Sequence, residues 1–387
     1  MTTTTATSTI QSLQIGMGWF PEQAGNGLDR MYHGLIQHLP AAGVDVTGLV
    51  AGSSSVASSS NGVVRSFAPD NALLVRRLHH LRKAFRNVTA ATTPNLVASH
   101  FAPYTAPVLD LLPDCPLVIH FHGPWGSESR AEGESALATG IKTWIERAVY
   151  RRGTAFIALS TAFQKKLVTE FGVDPDRIHI VPGGVDATAF DTGCGRTEAR
   201  QRLGWPADRP LVVAVRRLAR RMGLERLIEA VRQVRQQVPD VLVLIAGTGP
   251  LRKELQARID SYQLKRHIQL LGFVPEHDLP YVYRAANLSI VPTVALEGFG
   301  LITVESLAAG TPVLVTPHGG LPEVVSGLDA DLVLPGDDVG VLVDGLVGSL
   351  VGRFSLPASA DCQRYVREHF DWSAIAHATR AVYDTVL

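Results

Sequence analysis

Short apolar runs alternate along the chain with longer stretches whose apolar positions recur every three or four residues. That rhythm predicts parallel strands joined by crossover helices. In the first half it places strands at 13–17, 44–50, 96–99, 117–121 and 155–159, and helices at 28–39, 73–85, 141–151 and 162–171. Val181-Pro-Gly-Gly-Val-Asp186, with the glycines through Gly195, interrupts the pattern near the midpoint and reads as a hinge. The alternation then restarts, with strands at 211–215, 241–246, 268–271, 288–291 and 312–315 and helices at 224–236, 251–261 and 302–309. Ser53–Ser60 reads as a serine-rich turn or loop without chemistry. The pattern therefore predicts two α/β sheets facing each other across a cleft, with sites in the loops just after the strands.

The length of 387 residues leaves room for two cores. Lys+Arg and Asp+Glu both number 36, so the electrostatic footprint of a general nucleic-acid binder is missing. The 46% hydrophobic and 19% charged residues fit a packed chain and exclude the disordered class. Cys115, Cys194 and Cys362 stand far apart, so neither a disulfide framework nor a cysteine zinc site is written here. No signal peptide and no apolar run of about 18 residues is visible, and a cytoplasmic protein that spans no membrane is expected.

The most informative stretch is Pro292-Thr-Val-Ala-Leu-Glu-Gly-Phe-Gly-Leu-Ile-Thr-Val-Glu305, in which a strand ends, a glycine turn follows and an apolar helix begins. Such a turn can aim backbone N–H groups and a helix dipole at an anion. Glu297 and Glu305 would repel a phosphate, so sugar hydroxyls are their better partners. Taken singly, they equally fit a solvated turn and a helix surface. Val215-Arg-Arg-Leu-Ala-Arg-Arg-Met-Gly223 gathers four arginines after a strand and reads as a diphosphate clamp, or else as a solvated basic loop. Gly247-Thr-Gly-Pro250 allows close approach to the backbone, and Gly25-Asn-Gly27 precedes a helix that could present donors to a phosphate.

In Ile119-His-Phe-His-Gly-Pro-Trp125, a spacing of two points His120 and His122 to one face, while a strand ending at Phe121 is expected to turn His122 into the cleft. No third ligand stands at zinc spacing. The glycine pairs at 16/18, 25/27 and 247/249 all lack the third glycine of a dinucleotide fingerprint, which disfavours a nicotinamide enzyme. Asp329-Ala-Asp331 is an acid pair of a kind that chance supplies often.

With Glu297-x7-Glu305, the arginine loop, Gly247-x-Gly249, Gly319-Gly-Leu-Pro-Glu323 and Pro182-Gly-Gly-Val-Asp186 together, the chain from about Ile15 onwards resembles the retaining nucleotide-sugar glycosyltransferases of family 4. The resemblance implies the GT-B fold, an α/β architecture of two Rossmann-like doubly wound domains facing an interdomain cleft. It implies an acceptor-side domain over 1–185, rejoined by a terminal helical segment over 370–387, and a donor domain over 186–369. Glu305 would hold the donor ribose. Glu297, with the backbone of Gly298, Phe299, Gly300 and Leu301, would hold the sugar and phosphates. Arg217 would stabilise the diphosphate, Gly25, Asn26 and Gly27 would approach it, and His122 matches the family histidine near the sugar. The family lysine five residues after that arginine is Met222 here, and Arg221 is the candidate replacement.

The implied reaction transfers a sugar from a nucleotide-diphosphate sugar to an acceptor hydroxyl with retention, using no divalent metal and no cofactor. Arg217, Arg221 and backbone N–H groups stabilise the leaving group. A sugar phosphorylase, a nucleotide-sugar epimerase and a non-catalytic nucleotide-sugar sensor remain as alternatives. The acceptor class is open between a lipid-linked, saccharide and small-molecule hydroxyl. Leu74, Leu78, Leu81 and Phe85 recur at helical spacing among Arg76, Arg77, Arg82, Lys83 and Arg86, which suggests peripheral contact of 73–86 with an anionic membrane; the alternative is a helix packed on its sheet with a solvated basic face.

Overall fold

The structure, a computed structural model, describes residues 9–20 and 27–387. The chain divides into two compact units, one of Met1–Gly184 with Trp372–Leu387 and one of Val185–Asp371. The strands of the first unit are β1 (Ile10–Ile15), β2 (Val44–Ala51), β3 (Val64–Ala68), β4 (Leu96–Ser99), β5 (Leu117–Phe121), β6 (Ala155–Ala158) and β7 (Ile178–Ile180). They form one sheet in the order β3-β2-β1-β4-β5-β6-β7, parallel throughout. The second unit holds β8 (Leu211–Val215), β9 (Leu242–Ala246), β10 (Ile268–Gly272), β11 (Leu288–Val291) and β12 (Val313–Val315) in the parallel order β10-β9-β8-β11-β12.

Burial on both faces explains the near-continuous apolar runs of the central strands. Leu211, Val212, Val213 and Ala214 are all fully buried, and so are the inward residues Leu227, Ile228, Val231 and Val234 of the helix Leu224–Val234. Each sheet has one point where the strand order reverses, between β1 and β4 in the first and between β8 and β11 in the second. Loops that leave adjacent strands at such a point diverge to opposite faces and open a crevice for a ligand. The arginine loop leaves β8 and the glutamate turn leaves β11, so both candidates stand at that crevice.

Two strands, β3 and β7, lie outside the predicted set, and both are sheet edges. Edges bury one face only and are short or polar, so Val64-Arg-Ser-Phe-Ala68 and Ile178-His-Ile180 carry no apolar run. Ser53–Ser60 is not a featureless loop: Val56–Ser59 forms a helical turn, and Ser60 is buried against the backbone of Val64.

The chain returns to the first unit at Trp372. A Cβ on Gly34 would meet the Trp372 indole at 2.2 Å and one on Gly184 at 2.6 Å, so the bare backbone at both positions makes the slot for this side chain. The helix Trp372–Asp384 is fastened further by Arg380, whose Nη1 donates to the Gly43 carbonyl at 2.8 Å. Phe370 belongs to the second unit and packs on Phe299 at 5.6 Å between ring centroids.

Candidate active site

At the crevice of the second unit, the loops after β8, β11 and β12 are knitted through Glu297. Arg216, 7% exposed, donates from Nη2 to Glu297 Oε2 at 2.7 Å and to Thr293 Oγ1 at 2.5 Å. Val294 N donates to the Arg221 carbonyl at 3.0 Å, and Arg221 Nη1 donates to the Leu296 carbonyl at 2.8 Å. That bond supports Leu296 in the left-handed region, at φ 53°, a conformation that costs a non-glycine residue of order 1–3 kcal/mol. From the third loop, Gly320 N donates to the Glu297 carbonyl at 3.0 Å. Gly319, at φ +60°, lies so close that a Cβ would stand 1.7 Å from the same oxygen.

Behind the turn the helix Leu301–Ala308 begins at Gly300, which has no side chain to cap it. Its first N–H groups have no intrahelical acceptor and carry the positive end of the dipole. Glu305, within this helix, is 5% exposed and accepts from the Tyr283 hydroxyl at 3.0 Å. Gly247 and Gly249 make room for the chain itself. A Cβ at Gly247 would stand 2.0 Å from the Arg216 carbonyl and one at Gly249 2.4 Å from the Leu218 carbonyl. The protein's own arginine loop makes the close approach, with Leu218 N donating to the Thr248 carbonyl at 2.8 Å.

In the first unit, His100 follows β4 and His122 follows β5. His100 and His120 stack at 4.1 Å with their planes 17° apart, and His100 Nδ1 lies 3.1 Å from His122 Nε2. The His120 and His122 rings lie within 16° of parallel, 6.4 Å apart between centroids. Burial disfavours the imidazolium in all three, holding His100 and His120 well below the ordinary histidine range and His122 at about 4. Asp29, buried beside β1, is pushed up to about 6 by burial, although its Oδ1 accepts from Gly18 N at 2.9 Å.

Residues 25–189 match the family model described as Glycosyltransferase Family 4, and residues 195–348 that described as Glycosyl transferases group 1. The chain is a glycosyltransferase, with a glycosyltransferase model matched in each of its two halves. It is 28% identical over 320 residues to an alpha-maltose-1-phosphate synthase of Mycobacterium tuberculosis, spanning 77% of this chain and 80% of that one. To a D-inositol 3-phosphate glycosyltransferase of Xylanimonas cellulosilytica it is 33% identical over 257 residues, 62% of this chain and 58% of that one. Among solved structures, the Anabaena protein HepE in complex with UDP superposes with a TM-score of 0.78 at 18% identity, covering 97% of this chain and 100% of that one. Sucrose-phosphate synthase from Thermosynechococcus elongatus gives 0.77 at 21% identity, covering 97% and 98%. The fold is thus GT-B, and the protein is an enzyme of glycosyl transfer.

In this glycosyltransferase the residues picked from sequence separate into groups. Glu297, Gly298, Phe299, Gly300, Leu301 and Arg221 come together at one turn, and Glu305 lies one helix turn further on. Arg217 is exposed, and no hydrogen bond from its guanidinium is among those described; the arginine that grips Glu297 is its neighbour Arg216. Met222 is buried at 5% exposure, so the family lysine position points into the core, and the Arg221 guanidinium is directed to the backbone of the glutamate turn. Gly27 is the first residue of the helix Gly27–His38, whereas Gly25 and Asn26 lie outside the described residues. Asp329 caps a short turn by accepting from Asp331 N at 2.9 Å. Arg216, Gln14 and His100 escaped assignment from sequence; that β4 and β5 both run directly into histidine was the available signal for the last.

Proposed function

We propose that this glycosyltransferase draws its sugar from a nucleotide-diphosphate sugar and passes it to an acceptor hydroxyl with retention of anomeric configuration. The carrying observation is the joint at Glu297, where the arginine loop and the glutamate turn are locked together at the strand-order reversal beside an uncapped helix. Cationic and N–H groups there suit a diphosphate, and carboxylates suit sugar and ribose hydroxyls. The UDP held by HepE supports the same donor class.

Arg217 is free to meet the diphosphate because Arg216 neutralises Glu297 behind it. The acceptor oxygen bonds to the anomeric carbon as the bond from that carbon to the phosphate oxygen breaks, and its proton passes to the leaving phosphate on the same face. Arg217, Arg221 and the first N–H groups of the helix Leu301–Ala308 stabilise the negative charge that develops, so a divalent ion is not needed. His122 orients the sugar, Glu297 and the backbone of Gly298–Leu301 hold it, and Glu305 holds the ribose. A thermal-shift panel of nucleoside diphosphates and their sugars names the donor, after which the anomer of the product, read by NMR with and without EDTA, tests retention and metal independence. Inversion, or loss of activity in EDTA, would overturn those two assignments.

The acceptor side extends to a membrane surface. In the helix Leu74–Ala91, Leu81, Phe85 and Val88 are buried, while Leu73, Leu74 and Val75 are exposed at its start. Arg82 pairs with Asp110 at 2.6 Å and Arg77 donates to the Tyr104 hydroxyl at 2.7 Å; Arg76, Lys83 and Arg86 stand exposed. Apolar residues at the start of a basic helix suit an anionic leaflet. Among the described residues no helix is long and apolar enough to cross a membrane.

A further inference from the structure

Gln14 lies in the centre of β1 with no exposure at all. A buried amide is costly unless each polar atom is met, and its partners here fix a direction along a whole chain of groups. Ser12 Oγ donates its only proton to the Asp45 carbonyl at 3.1 Å, an oxygen that can only accept. The contact of 3.0 Å between Ser12 Oγ and Gln14 must then be donated by Gln14 Nε2, which also donates to the Tyr383 hydroxyl at 3.2 Å. The amide carbonyl is thereby turned to His100, 2.9 Å from its Nε2, and that nitrogen must carry a proton.

A neutral His100 with a proton on Nε2 has a bare Nδ1. That Nδ1 lies 3.1 Å from His122 Nε2, which must therefore donate. A neutral His122 protonated at Nε2 has in turn a bare Nδ1, and this atom is buried with no hydrogen-bond partner among the described residues. Burial keeps both rings neutral, and Tyr32, edge-on to His100 at 4.9 Å, with the His120 stack holds the ring planes. His122 lines a small, mainly apolar cavity with Met31, Leu35, Pro182 and Trp372.

We propose that Gln14 and His100 are positioning residues: through this relay they hold His122 as its Nε2–H tautomer and reserve its Nδ1 lone pair to accept a hydrogen bond from a hydroxyl of the bound sugar. The tautomer stands on the relay alone, while the sugar hydroxyl rests on the nucleotide-sugar reading above.

Long-range proton–nitrogen NMR on the full chain labelled in histidine tests this, with His122 assigned by the loss of its signals in His122→Asn. Near neutral pH the expected spectrum shows His122 protonated at Nε2 and bare at Nδ1. Gln14→Leu should mix the two tautomers. A protonated Nδ1 in the unsubstituted protein, or a single unchanged tautomer in Gln14→Leu, overturns the relay; if Gln14→Leu fails to fold, the unsubstituted spectrum decides. Addition of a nucleotide sugar that raises the melting temperature, UDP-glucose being the first probe, should move the Nδ1 resonance where UDP alone does not. An unmoved resonance overturns the hydroxyl contact. Failure of every nucleotide sugar in the panel to bind overturns the donor reading, with the tautomer result intact.

Discussion

Arg216 Nη2 and Glu297 Oε2 lie 2.7 Å apart in a pair nearly closed to solvent, their side chains 6% and 15% exposed. Removing one member of a buried pair strands the other's charge, which typically costs about 3–5 kcal/mol. Arg216→Met should therefore lower the denaturant midpoint strongly and abolish transfer, as chemical denaturation and a sugar-release assay would show. A variant as stable as the parent would mean that the pair is not closed in solution.

Arg217→Ala should behave in the opposite way. Its side chain is exposed, so stability should stay within about 0.5 kcal/mol, while turnover with the identified donor falls by about 100-fold or more through loss of one preorganised charge. Equal activity in the two proteins would move the diphosphate clamp elsewhere.

Gly319→Ala places a methyl group 1.7 Å from the Glu297 carbonyl at a backbone φ of +60°. Backbone cannot give way as a side chain can, so a loss of about 1–3 kcal/mol is expected in thermal unfolding, together with weaker donor binding. Gly352→Ala, at φ +76° with nothing near its Cβ, is the control for conformation alone.

Two buried groups should tilt the pH profile of stability in opposite directions. Glu146 accepts from Trp125 N and Gly126 N, yet burial pushes its carboxyl up to about 7. Between its ordinary range near 4.5 and 7 the folded state binds more protons, so this contribution is full in acid and is lost as pH rises. His122 is held down to about 4, so below 6.5 the unfolded state takes up the proton first, and its contribution is lost as pH falls toward 4. Urea titrations from pH 4.5 to 7 should show Glu146→Gln steepening the gain of stability with pH and His122→Gln flattening it. The same sign for both would refute the assignment of the groups.

Contact of the helix Leu74–Ala91 with a membrane predicts binding to phosphatidylglycerol vesicles that falls steeply between low and physiological salt, and weakens further in Arg76→Glu/Lys83→Glu. Binding to neutral and anionic vesicles alike would dispose of it.

Central strands were legible in the sequence because burial on both faces writes an unbroken apolar run: β4, β5, β8 and β11 coincide with the predicted bounds. The edges β3 and β7 were not, since a strand with one solvated face carries no such run. At the site, the sequence singled out the arginine loop without saying which of its members pairs with Glu297. Arg216 and Arg217 are adjacent, and only the fold decides which one turns inward to Glu297. The glycines at 247 and 249 likewise announced a close approach without saying that the visitor would be the chain itself. Gln14 and His100 stand far apart in sequence and meet because β1 and β4 are neighbours, a pairing that local pattern does not encode.

The return of the polypeptide at Trp372 has a bearing on how the molecule is made. Tyr383 supplies the hydroxyl that receives Gln14 Nε2 and lies 2.8 Å from His120 Nε2, so the first sheet lacks part of its interior until Tyr383 has left the ribosome. Residues 185–371 are continuous and emerge complete before that point. The unit begun first is therefore finished after the second, and a nascent molecule keeps an open seam beside Gly34 and Gly184 until the indole arrives to close it.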